Sequence, residues 1–237
     1  MTTLYGFPAM FGAPSASPFV IKADVQLQML GVDFDRKIAD LNAVSKHKMP
    51  YVSDNGAVIQ DSAFIRWHFE RKLGCDLDAG LNVEQRGAAW ALERMLEERV
   101  YFMVLSERWL VDDNFEKGPL LYFSDVPEAA RKQATDEIRA GIRAYLTGMG
   151  LMRHALEERM QLADCDIAAV SAVLGDKAFL FGDAPTAVDA VAYGMLASAA
   201  TEHFDTPLVD LVAKRENLAP YIARMEARFF PEPAAYG

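Results

Sequence analysis

Apolar positions recur with two different periods in the two parts of this 237-residue chain. Up to about residue 78, short runs with strand character alternate with helical ones. Thr2–Phe7 reads as a first strand and the small residues of Gly12–Ser17 as a loop. Phe19, Ala23, Leu27 and Leu30 then recur at helical spacing, with Pro18 suited to a first turn and Gly31 to an end. A second strand is expected around Phe34–Ile38. Tyr51-Val52 and Ala57-Val58-Ile59 flank Asp54-Asn55-Gly56, residues that tolerate positive φ, which predicts a β-hairpin. A helix from Ser62 to Leu73, stopped by Gly74, follows.

From about Val83 onward the pattern is helical almost throughout. One stripe runs through Ala89, Leu92, Leu96, Met103 and Leu110, and a second through Tyr101, Leu105 and Trp109. A helix apolar on two sides needs neighbours on both. A further helix is expected over about Arg153–Leu174, and one beginning at Thr186 with Asp189 in the place of the acidic member of a capping box. Two shorter helices, Pro207–Asn217 and Leu218–Phe229, complete the series. The expected division is a mixed α/β unit over 1–78 and an all-α unit over 83–237.

Composition narrows the partners. The formal net charge is −10, which argues against a nucleic-acid surface, where Lys and Arg must neutralise phosphates. Two cysteines, Cys75 and Cys165, and four scattered histidines give neither a disulfide framework nor metal-ligand spacing, so no metal is assigned. No run approaches the ~20 apolar residues of a membrane-spanning helix, and Lys22 is the first basic residue, too late for a signal peptide. A cytoplasmic protein without a membrane partner is expected.

The ordered segments "MPYV", "DS" and "PTAVD", set in a β-α-β, β-β-α half followed by helices, resemble the soluble glutathione transferases. "LEERVYFMVLSERWL", "GMGLMRHALEE" and "NLAPYIARMEARFFPE" are similar to the failed-axon-connections branch, related to metaxins. The resemblance implies a thioredoxin-like N-terminal domain, an all-helical C-terminal domain, glutathione as co-substrate, a small hydrophobic electrophile as second substrate, and a homodimer.

Residue by residue, it implies a glutathione site made by Lys48 for the glycine carboxylate, Met49 and a cis Pro50 for the cysteinyl unit, and Asp61 and Ser62 for the γ-glutamyl end. Asp and Ser are also the residues that cap helices, so capping is the competing reading for this pair. Ser17 is the candidate for stabilising the thiolate; Ser15 and Tyr5 are rivals, and a plain N-cap is the alternative. "SPFV" holds Ser17 and Val20 where dithiol oxidoreductases carry cysteines, which excludes a disulfide-exchange cycle there. Tyr101 and Arg108, seven residues apart in the sequence, share a helix face and, with Trp109, are expected to line the second-substrate pocket. The competing function is a binding or adaptor protein that keeps the fold without turnover.

Overall fold

The computed structural model describes residues 1–237. Four strands, β1 (Thr2–Gly6), β2 (Phe34–Ile38), β3 (Tyr51–Asp54) and β4 (Ala57–Gln60), form one sheet in the order β2-β1-β3-β4. β2 runs parallel to β1 and the other pairs are antiparallel. A parallel neighbour requires a crossover, and helix α1 (Pro18–Met29) supplies it. The hairpin turns where the sequence placed it, with Asn55 at φ 50° and Gly56 at φ 88°, the two positive values that a type I′ turn needs. Helix α2 (Ser62–Leu73) ends on Gly74 at φ 65°, a left-handed cap. Leu4 and Val52 of the sheet bury against Ala23 and Leu27 of α1 and Ile65 and Phe69 of α2.

The remainder is helical: α3 (Val83–Met95), a π-helical turn (Leu96–Val100), α4 (Tyr101–Leu110), α5 (Asp112–Lys117), α6 (Glu128–Gly148), α7 (Leu156–Leu174), α8 (Ala187–Ala200), α9 (Pro207–Ala213) and α10 (Leu218–Phe229). Three bounds differ from the sequence expectation. The run from Val83 to Leu110 is interrupted by the π turn, which changes the phase between its two stripes: Ala89, Leu92 and Leu96 enter the main core, while Tyr101 and Leu105 face the space between the halves. The helix expected from Arg153 starts at Leu156, because Glu158 Oε2 accepts the Ala155 amide at 2.8 Å and fixes that end. α9 stops at Ala213, where Arg215 turns back to donate to the Leu211 carbonyl at 2.6 Å and to Asp164 at 2.7 Å.

α8 is the hub of the helical half. Asp189, wholly buried, accepts from the amides of Leu180 (2.9 Å) and Thr186 (2.8 Å), the Thr186 hydroxyl (3.0 Å) and the Tyr221 hydroxyl (3.0 Å). Burial pushes its carboxyl above the ordinary range, and these donors oppose the shift.

Two contacts lock the sheet half to the helices. At Gly194 of α8 a Cβ would sit 2.6 Å from the Pro18 carbonyl oxygen, so only glycine allows α1 to lie this close. Lys22 of α1, 0% exposed, donates to Glu93 at 2.8 Å and Glu97 at 2.6 Å, and Arg94 bridges the same two carboxylates at 2.9 and 2.6 Å. A buried cation is tolerated only with such partners. Both cysteines are free and exposed, and no helix is long and apolar enough to cross a membrane.

Candidate functional site

A cavity of about 530 Å³ opens between the halves. The residues assigned to the site from the sequence line it, apart from the rivals of Ser17: Lys48, Met49, Pro50, Asp61 and Ser62 from the sheet side, Ser17 at the start of α1, and Tyr101, Arg108 and Trp109 from α4. The Met49-Pro50 bond is cis.

Asp61 caps α2 from an unusual backbone conformation. Its Oδ1 accepts the Ala63 amide at 2.9 Å, so it does cap α2. That bond uses one carboxylate oxygen and leaves the other free. Its backbone stands at φ 90°, a region L side chains rarely adopt, at a cost of roughly 1–3 kcal/mol. An ordinary cap needs no such conformation. Ser62 is buried at the first position of α2 and lines the cavity beside Asp61. Lys48 is exposed and forms no ion pair. Its neighbour Lys46 is engaged, donating to the Gln60 carbonyl at 3.2 Å and resting over the Phe64 ring. His47 bonds to the Leu41 carbonyl at 3.0 Å and does not reach the cavity.

The rivals of Ser17 are occupied. Ser15 is buried and donates to the Phe7 carbonyl at 2.7 Å; Tyr5 stacks on Tyr51 with ring centroids 4.5 Å apart. Neither lines the cavity. Ser17 stands at the N-cap of α1, yet its side chain makes no capping bond. Its hydroxyl is therefore available to a ligand, although the helix start adds little to it: the Ser17 amide donates to the Ser15 hydroxyl at 3.3 Å and Pro18 has no N–H.

The far end of the cavity is apolar and aromatic. Phe7, Phe11 and Tyr122 line it, and Tyr122 stacks on Phe7 at 5.4 Å and on Trp109 at 6.0 Å. The sequence reading missed these three and Tyr145. Phe7, expected as the last residue of the first strand, lies just past the end of β1 at Gly6, Phe11 lies in the loop that follows and Tyr122 in a single 3-10 turn (Pro119–Phe123), so no periodicity pointed them to the cavity. The density of aromatics in "PLLYF" was the one usable signal.

Arg108 is the only charged group at this end. Its guanidinium donates to the carbonyls of Ala16 (3.2 Å) and Ser198 (2.8 Å) and lies over the Phe204 ring at 4.8 Å. It has no carboxylate partner: the adjacent Glu107 points away, to Arg159 at 3.6 Å. Burial pulls the Arg108 pKa down to about 10 and pushes that of Tyr122 up to about 12.

A protein from Rhodococcus sp. strain AD45, isoprene-epoxide–glutathione S-transferase, is 31% identical over 242 residues, covering 97% of this chain and 99% of its own length. The chain belongs to the glutathione S-transferase family. Family models agree: the glutathione S-transferase N-terminal domain matches residues 18–115 and the C-terminal domain 163–225. Failed axon connections from Drosophila melanogaster is 29% identical over 250 residues, and the match covers 97% of this chain and 58% of that protein. Among solved structures, a glutathione S-transferase from Methylobacterium radiotolerans in complex with glutathione sulfonate shares the fold, with a TM-score of 0.63 and 19% identity over 100% of this chain and 95% of the other.

Proposed function

We propose that this glutathione S-transferase family member binds glutathione along Lys48, Met49, Pro50, Asp61 and Ser62 and transfers its thiolate to a small apolar electrophile held against Tyr101, Arg108 and Trp109. The observation that carries the reading is the convergence of these groups on one cavity, with the Ser17 hydroxyl free between its polar and aromatic ends. Catalysis then consists of lowering the thiol pKa and positioning the electrophile. The epoxide in the Rhodococcus relative's name fits an apolar cavity of this size. A cytoplasmic homodimer belongs to the same reading; the exposed aromatics Phe64, Trp67 and Trp90 form an apolar surface suited to a second copy.

Calorimetric titration with reduced glutathione at neutral pH tests it. One-site binding at micromolar to low-millimolar Kd is expected. Similarity to Failed axon connections favours a second reading, an adaptor without turnover. Absence of both heat and thermal stabilisation at high glutathione would select it.

The strained backbone of Asp61 separates binding from capping. Glycine accepts φ 90° freely and as an N-cap loses only a few tenths of a kcal/mol. Asp61→Gly is therefore expected to fold with stability within about 1 kcal/mol of the parent. Its glutathione Kd should rise at least about tenfold, the scale of one lost charged hydrogen bond. Unchanged affinity in the titration would leave Asp61 as a cap alone.

A further inference from the structure

The proposed transferase reading uses Arg108 only as pocket wall, yet its surroundings are those of a charge held ready. The side chain is 7% exposed and has no acidic partner. A buried, unpaired cation is costly to keep, and the cavity's one acidic lining residue, Asp61, belongs to the opposite, polar end. The guanidinium is fixed from behind by Phe204 and by the Ala16 and Ser198 carbonyls. Those two bonds leave one N–H on each terminal nitrogen without a partner, whereas Nε is enclosed and unpartnered. Ala16 is also the residue before Ser17, so the guanidinium lies one peptide from the hydroxyl assigned to the sulfur. Tyr122 and Tyr101 share the same wall and feel its charge.

We infer that Arg108 is a catalytic residue that receives the oxygen of a small epoxide as glutathione opens the ring, with Tyr122 delivering the proton. The inference rests on the transferase reading. The thiolate forms a bond to one ring carbon; the bond between that carbon and oxygen breaks, and its electron pair stays on oxygen. Arg108 donates hydrogen bonds to the alkoxide as its charge develops, and the Tyr122 phenol protonates it to an alcohol. The proton lost by the thiol returns to Tyr122 through water. The sum is addition of glutathione to the epoxide, with no leaving group and no oxidant. Arg108 is worth most in the transition state, since a neutral epoxide offers it little and an alkoxide much.

Butene oxide and butyl iodide, with matched carbon skeletons, test this. Iodide departs as a diffuse, weakly basic anion and needs little help, whereas an alkoxide needs much. Arg108→Met is expected to lower kcat/KM for butene oxide about 100-fold, a loss at least about tenfold larger than the one it causes for butyl iodide, with glutathione Kd by calorimetry unchanged. Tyr122→Phe should lower the butene oxide value at least about tenfold, sparing the iodide. Equal losses on both substrates would place Arg108 in thiolate stabilisation or pocket shape and overturn the assignment, as would no loss on either. If Arg108→Met does not fold, Arg108→Lys, which keeps the charge and loses the fork, is judged by the same ratio. A parent protein that binds glutathione and converts butyl iodide but not butene oxide overturns this inference alone. One that binds no glutathione overturns the transferase reading with it.

Discussion

Replacing Ser17 by alanine is expected to cut kcat/KM at neutral pH by roughly 10- to 100-fold while glutathione Kd changes less than about threefold. A hydrogen bond to a charged group contributes about 1.5–3 kcal/mol, and each pKa unit corresponds to about 1.4 kcal/mol. One hydroxyl can therefore lower a bound thiol by one to about two units. The sign is clear: without it the thiol pKa rises, and less thiolate is present at neutral pH. Titrating the thiolate absorbance of the bound complex against pH reads this directly. The substitution should leave folding intact, because the Ser17 side chain makes no capping bond in α1. A thermal midpoint lowered by several degrees with the thiolate titration unmoved would place the hydroxyl in the helix instead.

Asp189→Ala has the largest expected effect on stability. It strips the acceptor from two amides and two hydroxyls in a fully buried setting. Each orphaned buried donor costs about 1–3 kcal/mol, and the losses overlap within one network. A total of about 4 kcal/mol is reasonable, or a midpoint lower by about 10 °C for a chain of this size. Asp189→Asn, which keeps one carbonyl oxygen, should lose less. Scanning calorimetry of both decides it; an alanine variant within about 2 °C of the parent would mean that the network holds nothing.

Local chemistry in the sequence carried most of the first half. Asn55-Gly56 could only turn one way, and Ser62–Leu73 had a cap at each end, so the hairpin and α2 fall where expected. The Asp189 position was legible from its spacing to Thr186, although the bonds to Leu180 and Tyr221 were not. The glutathione-side candidates came from motif resemblance, and they share one cavity.

What stayed hidden is what depends on neighbours distant in sequence. Glu107 and Arg108 are adjacent and of opposite charge, and nothing along the chain reveals that one turns to Arg159 and the other to two carbonyls without a counter-charge. Lys22 stood out in the sequence only as the first basic residue. Its burial depends on carboxylates about seventy residues away. The division between 78 and 83 remains a proposal, and the contacts across it are dense.

The Lys22 cluster limits how this protein can be taken apart or recombined. Expressed alone, the sheet half would expose Lys22 without its carboxylates, together with Ile21 and Val25, the α1 residues that pack into the helical core. The helical half would hold Glu93 and Glu97 facing each other with only Arg94 between them. A chimera joining this sheet half to another transferase's helices must therefore import both glutamates, and a glycine opposite Pro18, or it will not assemble. The halves look like interchangeable modules, but they are inherited as a pair.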